Sequence, residues 1–175
     1  MKTRRISILL AACLFGVFLI TVFPYFASAH SQEQFSSSRR CRNFFAGSYL
    51  TTIVDAKGKF SSRGVITFSE DGNLFVTDSN QGGVQGVFNP FGDTQGSYTC
   101  TSNREIRALG INFDFSGPNG INDIARSDIQ ATLNQQSMEL QGIITVSSFA
   151  LKANPLKGAG SVVGSFQFTG QRITP

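Results

Sequence analysis

The sequence predicts an all-β protein whose strands close into an eight-stranded antiparallel up-and-down barrel; a two-sheet β-sandwich is the alternative. Three observations predict it. Short runs rich in Phe, Ile, Val and Thr alternate apolar with polar residues, the period of a strand with one wet and one buried face. Clusters of Gly, Asn, Asp and Pro separate those runs at short, regular intervals. Beyond the N-terminal apolar run, no segment carries helical periodicity.

The first element is a leader. Lys2, Arg4 and Arg5 precede an uncharged apolar run over 6–23, and Ala27-Ser28-Ala29 follows Pro24. This is the secretory pattern, with cleavage expected before His30. An uncleaved membrane anchor is the alternative, because the run approaches the ~20 residues of a bilayer span. Leu10-Ala11-Ala12-Cys13 has the look of a lipobox. Strongly apolar residues continue after it over 14–23, so Cys13 reads as part of the apolar run. After cleavage no stable membrane span is expected.

Cleavage changes the charge argument. Of 15 basic residues, the three at Lys2, Arg4 and Arg5 go with the leader, which leaves 12 against 11 acidic ones. The basic balance of the full chain is then no nucleic-acid signature, and no nucleic-acid partner is expected. Residues 30–43 are polar and serine-rich and read as a flexible leader to the domain. Arg39, Arg40 and Arg42 fall within it and read as a solvated basic cluster. The domain proper is expected over 44–175.

Two cysteines survive cleavage, Cys41 and Cys100. In an oxidising compartment an even pair implies one disulfide, worth roughly 3–4 kcal/mol in the chain-entropy model. Two buried free thiols are the alternative. The chain has one histidine, His30, in the leader. That excludes His-based nucleophilic triads and zinc hydrolysis from the domain. Walker and Rossmann loops are absent, since Gln81-Gly82-Gly83 precedes no helix. No metal and no cofactor is expected.

Strands are expected at 44–54, 58–69, 73–78, 94–101, 104–115, 123–134, 137–150 and 161–173, with a weak run near 84–88. Short turns between consecutive strands make a meander, and closing it hides both the edges and the apolar face. Leu109, Ile111, Phe113 and Phe115 alternate with Gly110, Asn112 and Asp114. That phase points Phe113 inward and Asp114 outward. Asp128 and Arg126 likewise share an outer face, where an ion pair is the expected role. The inward set holds Tyr49, Phe68, Tyr98, Phe113, Ile129, Ile144 and Phe166 as candidate ligand-binding residues. Small residues share that phase: Gly64, Ala125, Ser127, Ala131 and Gly142. Where small residues gather, a barrel of this size keeps a lumen; where the aromatics fill it, the barrel is solid.

Gly47-Ser48-Tyr49 opens the first strand and Arg172 stands in the last. The pair resembles the signature of the lipocalins, of the calycin group. Those proteins carry Gly-x-Trp on the first strand and a basic residue on the last that packs over the ring. Tyr49 stands where the family has Trp, and the chain contains no Trp. The resemblance implies a closed barrel with a possible ligand lumen.

Three functions follow. The first is an exported protein binding a small apolar ligand in its lumen, with Tyr49 and Tyr98 offering hydroxyls. The second is a non-catalytic structural or interaction module, with a filled barrel presenting the loops at 89–93, 116–123 and 152–160. The third is a barrel isomerase or cyclase, which needs an inward carboxylate or tyrosine. No catalytic residue is assigned from the sequence, and nothing in it sets an oligomeric state.

Overall fold

Each strand hydrogen-bonds to the next in chain order, and the last returns to the first. The computed structural model describes residues 39–85, 89–116 and 122–175. The strands are β1 (Gly47–Val54), β2 (Phe60–Phe68), β3 (Asn73–Asp78), β4 (Thr94–Ser102), β5 (Glu105–Asp114), β6 (Asp123–Leu133), β7 (Glu139–Ala150) and β8 (Ser161–Arg172). All pairings are antiparallel and the barrel is closed, with Tyr49 opposite Arg172 where β1 meets β8. Closure gives every strand two partners, so no strand edge stays open. This is the predicted barrel, not the sandwich. The leader residues 1–38 and most of the weak run at 84–88 lie outside the described residues.

One short helix, α1, spans 39–45. The sequence places these residues in a flexible leader and the start of a strand. Seven residues are too few for a periodic signal, and a helix that short draws its stability from tertiary packing. Here the packing is plain: Cys41 and Phe45 are buried in the core, and Cys41 is disulfide-bonded to Cys100 on β4. The predicted disulfide is present. Among the described residues no helix is long and apolar enough to cross a membrane.

The meander gives the barrel two unlike ends. At one end lie α1 and the turns β2–β3, β4–β5 and β6–β7. There the lumen is solid. Phe45, Tyr49, Phe68, Leu74, Ile106, Leu133 and Leu140 are all fully buried. Phe68 meets Phe45, Tyr49 and Tyr98 edge-on, at centroid distances of 6.1, 6.1 and 5.1 Å. Edge-to-face pairs of this kind are worth about 0.5–1.5 kcal/mol each beyond their area. At the other end β1, β3, β5 and β7 finish, at Val54, Asp78, Asp114 and Ala150.

Arg172 closes the solid end. Its Nη2 donates to Phe44 O, Ala46 O and the Tyr49 hydroxyl, at 2.9, 2.7 and 2.8 Å. Gly47 sits at φ +140°, a region L side chains rarely adopt, and a Cβ there would meet the Arg172 guanidinium at 3.4 Å. Glycine is therefore favoured by backbone conformation, while the Arg172 contact alone would be an ordinary one.

Candidate functional site

The open half of the barrel is not filled. A cavity of about 180 Å³ lies between the ends of β1, β3, β5 and β7 and the beginnings of β2, β4, β6 and β8. Its apolar wall includes Ile53 on β1, Val76 on β3, Ile144 and Val146 on β7, and Phe166 on β8. Ala125 and Ser127 on β6 line it too, Ser127 as the register partner of Val146 and Ala125 as that of Ser148. Their small side chains leave space beside the larger ones.

A polar arc runs through the same cavity. Asn112 and Asp114 on β5, Ser127 on β6, Ser148 on β7 and Asp78 on β3 all line it. The register brings the arc together: Asn112 is opposite Ala125, Asp114 opposite Asp123, and Ala125 opposite Ser148. Asp114 and Asp123 are register partners across β5 and β6. Ser148 Oγ donates to Asp123 Oδ2. The Asp114 carboxyl is pushed up to about 7, first by burial, then by its hydrogen bond to Asp123 and that neighbour's charge. Two carboxylates in one half-dry place cannot both ionise freely.

Asp78 is held differently. Its Oδ2 accepts from Ser62 Oγ and its Oδ1 from Asn80 N, each at 2.8 Å. Asn112 is 6% exposed. Its Nδ2 donates to Gly92 O at 3.4 Å, while its buried Oδ1 accepts no hydrogen bond. Among the described residues lining the cavity none is basic. Among the described residues no three His, Cys, Asp or Glu converge as a metal ion would need.

The seven candidate residues divide. Ile144 and Phe166 line the cavity. Tyr49, Phe68 and Tyr98 point inward but belong to the packed end, and Ile129 is core beneath the cavity. The two hydroxyls expected to meet a ligand are already used: Tyr49 donates to Phe45 O at 2.9 Å and Tyr98 to Ser69 O at 2.7 Å. Burial raises both phenols above their ordinary value.

Phe113 is a correction. It is 55% exposed on the outer face, because β5 runs in the opposite phase to the expected one. Ile106, Ala108 and Asn112 are its buried, inward residues, and Asp114 joins them at the cavity instead of facing outward. Asp128 does face out. It pairs with Arg126 Nε at 2.9 Å, along one strand rather than across two. Arg126 also lies over the Phe149 ring at 5.1 Å and donates to Pro155 O and Gly158 O. The loop at 151–160 is thereby tied down beside the open end.

Sequence reasoning missed Asn112, Asp114, Asp123 and Ser148 as site residues. The available signal was the second period-two set in β5, Ala108-x-Gly110-x-Asn112-x-Asp114. It is small and polar, and its last two members, Asn112 and Asp114, line the cavity. A scan of family models, a search of curated proteins and a search of solved structures each return no match to this chain.

Proposed function

We propose that this chain is an exported binding protein that takes a small, mainly apolar ligand into the open half of its barrel. The observation that carries this reading is the division of the lumen. One half is packed solid and sealed by α1 and Arg172; the other holds a cavity of about 180 Å³ with an apolar wall and a few fixed polar groups. Ligand sites are concave, mostly apolar, and oriented by a small number of polar atoms. The lipocalin resemblance supports it as well, since the Arg172 guanidinium lies over the Tyr49 ring as that signature implies. The Cys41–Cys100 bond suits an oxidising compartment, in keeping with the secretory pattern at 1–29.

Native mass spectrometry of the protein, exported and purified without denaturant, tests this. The expected result is the mass of the chain from His30 with a reproducible small adduct, or uptake of one from lipid extract. A bare mass that takes up nothing would overturn it in favour of a module acting through its loops.

A second reading, a barrel isomerase or cyclase, draws on Asp114. A carboxyl that titrates near neutrality and faces a cavity is suited to proton transfer. Its test is chromatography of the small molecules recovered after incubation. A species with altered retention, lost in Asp114→Asn, supports catalysis; unchanged species support binding alone.

A further inference from the structure

We infer that the ligand of this cavity carries a protonated amine, held by the Asp114–Asp123 carboxyl pair and the Asn112 side-chain carbonyl, with its apolar part against Ile144, Val146 and Phe166. The inference rests on the lumen-binding reading and adds the chemistry of the ligand's polar end.

Three independent observations carry it. The first is Asp114, half-buried at the cavity with Asp123 its register partner on β6, in a lining that holds no basic side chain among the described residues. The second is Asn112. It is 6% exposed and lines the cavity. Its amide nitrogen donates to Gly92 O at 3.4 Å. Its own side-chain carbonyl has no donor, and a buried acceptor left unmade is costly. The third is strand geometry: Asn112 and Asp114 lie two positions apart on one face of β5, roughly 7 Å along the strand. A single group between them must donate in several directions.

An ammonium fits these requirements. It offers three donors and no acceptor, and its charge offsets the half-dry carboxylates. A ligand carboxylate would add a third negative group. A hydroxyl would satisfy one acceptor and leave the charge. A metal ion would have no use for the apolar wall, and the described residues hold no cluster of ligands for one.

The titratable surroundings of Asp114 are few. β6 contributes Asp123. The segment before β4 contributes Phe91, bridged to Asp114, and an acid, Asp93, that accepts from Gln81 Nε2 at 2.8 Å. β7 contributes Ser148. Asp78 on β3 lines the same cavity. Arg126 on β6 is turned to the outer face and engaged by Asp128. Every charged group on the lumen side is an acid, so recognition of a cation strengthens as pH rises through about 7, where Asp114 ionises.

The test is titration calorimetry of the purified exported protein with three probes of one chain length: n-hexylammonium, n-hexanol and n-hexanoate. At pH 8 hexylammonium is expected to bind about tenfold or more tighter than hexanol, the size of one charge-assisted hydrogen bond. Hexanoate is expected to bind more weakly than either. The preference should shrink by pH 5.5 and be lost in Asp114→Asn. Asn112→Ala, a second route should that variant fail to fold, should also lower hexylammonium affinity. Asp128→Asn, on the outer face, should change none of the three. Hexanol binding as tightly as hexylammonium at pH 8 would overturn the amine and leave the lumen reading standing. Binding of none of the three would overturn both. Equal losses in Asp128→Asn and Asp114→Asn would place the amine at the surface and overturn the proposed site.

Discussion

The Arg172 guanidinium lies over the Tyr49 ring, 5.3 Å from its centroid, and its Nη2 donates to the hydroxyl of the same ring at 2.8 Å. That hydroxyl donates onward to Phe45 O at 2.9 Å. Face contact and hydrogen bond thus come from one side chain, 123 residues from the ring it holds. The two termini of the barrel and α1 are fixed at a single point.

Arg172→Met is therefore expected to destabilise the protein by about 2–3 kcal/mol, since it strips donors from Phe44 O and Ala46 O and removes the cation–π contact. Tyr49→Phe should lose about 1 kcal/mol, the hydroxyl's bond to Phe45 O. Because both act on one constellation, the double variant should lose less than the two single losses added. Urea denaturation of the four proteins checks this. Strict additivity would show that the two side chains act independently.

The disulfide closes a loop of 59 residues between α1 and β4. In the chain-entropy model a loop of that length is worth roughly 4 kcal/mol. Cys41→Ser with Cys100→Ser should lower stability by about that much while leaving the far-ultraviolet circular dichroism that of a β protein, since the eight-strand closure does not pass through α1. Loss of strand signal at low temperature would instead mean that α1 is needed to form the barrel.

Much of this was legible in the sequence, and the part that was not is instructive. Eight strands, their order and the Cys41–Cys100 bond follow from period two, short turns and an even cysteine pair. The phase of β5 does not. Its most apolar alternate set, Leu109, Ile111 and Phe113, lies on the outer face, and the lumen side carries Ala108, Gly110, Asn112 and Asp114. Hydrophobic alternation locates the core only where the core is full. On β5 the residues that line the cavity are the polar Asn112 and Asp114, and there the signal inverts. The short helix was hidden for another reason: it is held by a covalent bond and by Arg172, and neither leaves a periodic trace in residues 39–45.

Gly96 and Gly164 both belong to Gly-Ser-aromatic triplets, yet they face different neighbours. A Cβ on Gly96 would run into Leu109 O and lie 2.7 Å from the Gly110 Cα. Both are backbone of the paired strand β5, which cannot step aside without breaking the ladder. A Cβ on Gly164 meets only the Phe166 ring, at 3.1 Å, and that ring borders the cavity and has room to turn. Gly96→Ala is expected to cost more than about 2 kcal/mol through backbone displacement. Gly164→Ala should cost under about 1 kcal/mol or be neutral, since relief of glycine's unfolded-state entropy offsets the contact. Thermal denaturation of the two variants decides it; equal losses would mean that β4 and β5 can separate.

Asp114 makes stability itself depend on pH. Its carboxyl titrates near 7 in the folded protein, against an ordinary value of 3.8. Between those two values the folded state binds more protons than the unfolded one, so stability falls as pH rises from about 4 to about 7 and then levels. The exposed Asp55 works in the opposite sense. The backbone N–H groups of Lys59 and Lys57 hold its carboxyl below the ordinary value, so its contribution is present above about 4 and fades only in stronger acid. The two windows do not overlap, and between pH 5 and pH 8 the slope belongs to Asp114. Urea midpoints should therefore drop from pH 5 to pH 8 in the native protein and flatten in Asp114→Asn, which keeps the shape of the side chain and removes its charge. A variant that retains the full slope would show that another group carries it, and that the carboxyl pair is open to water.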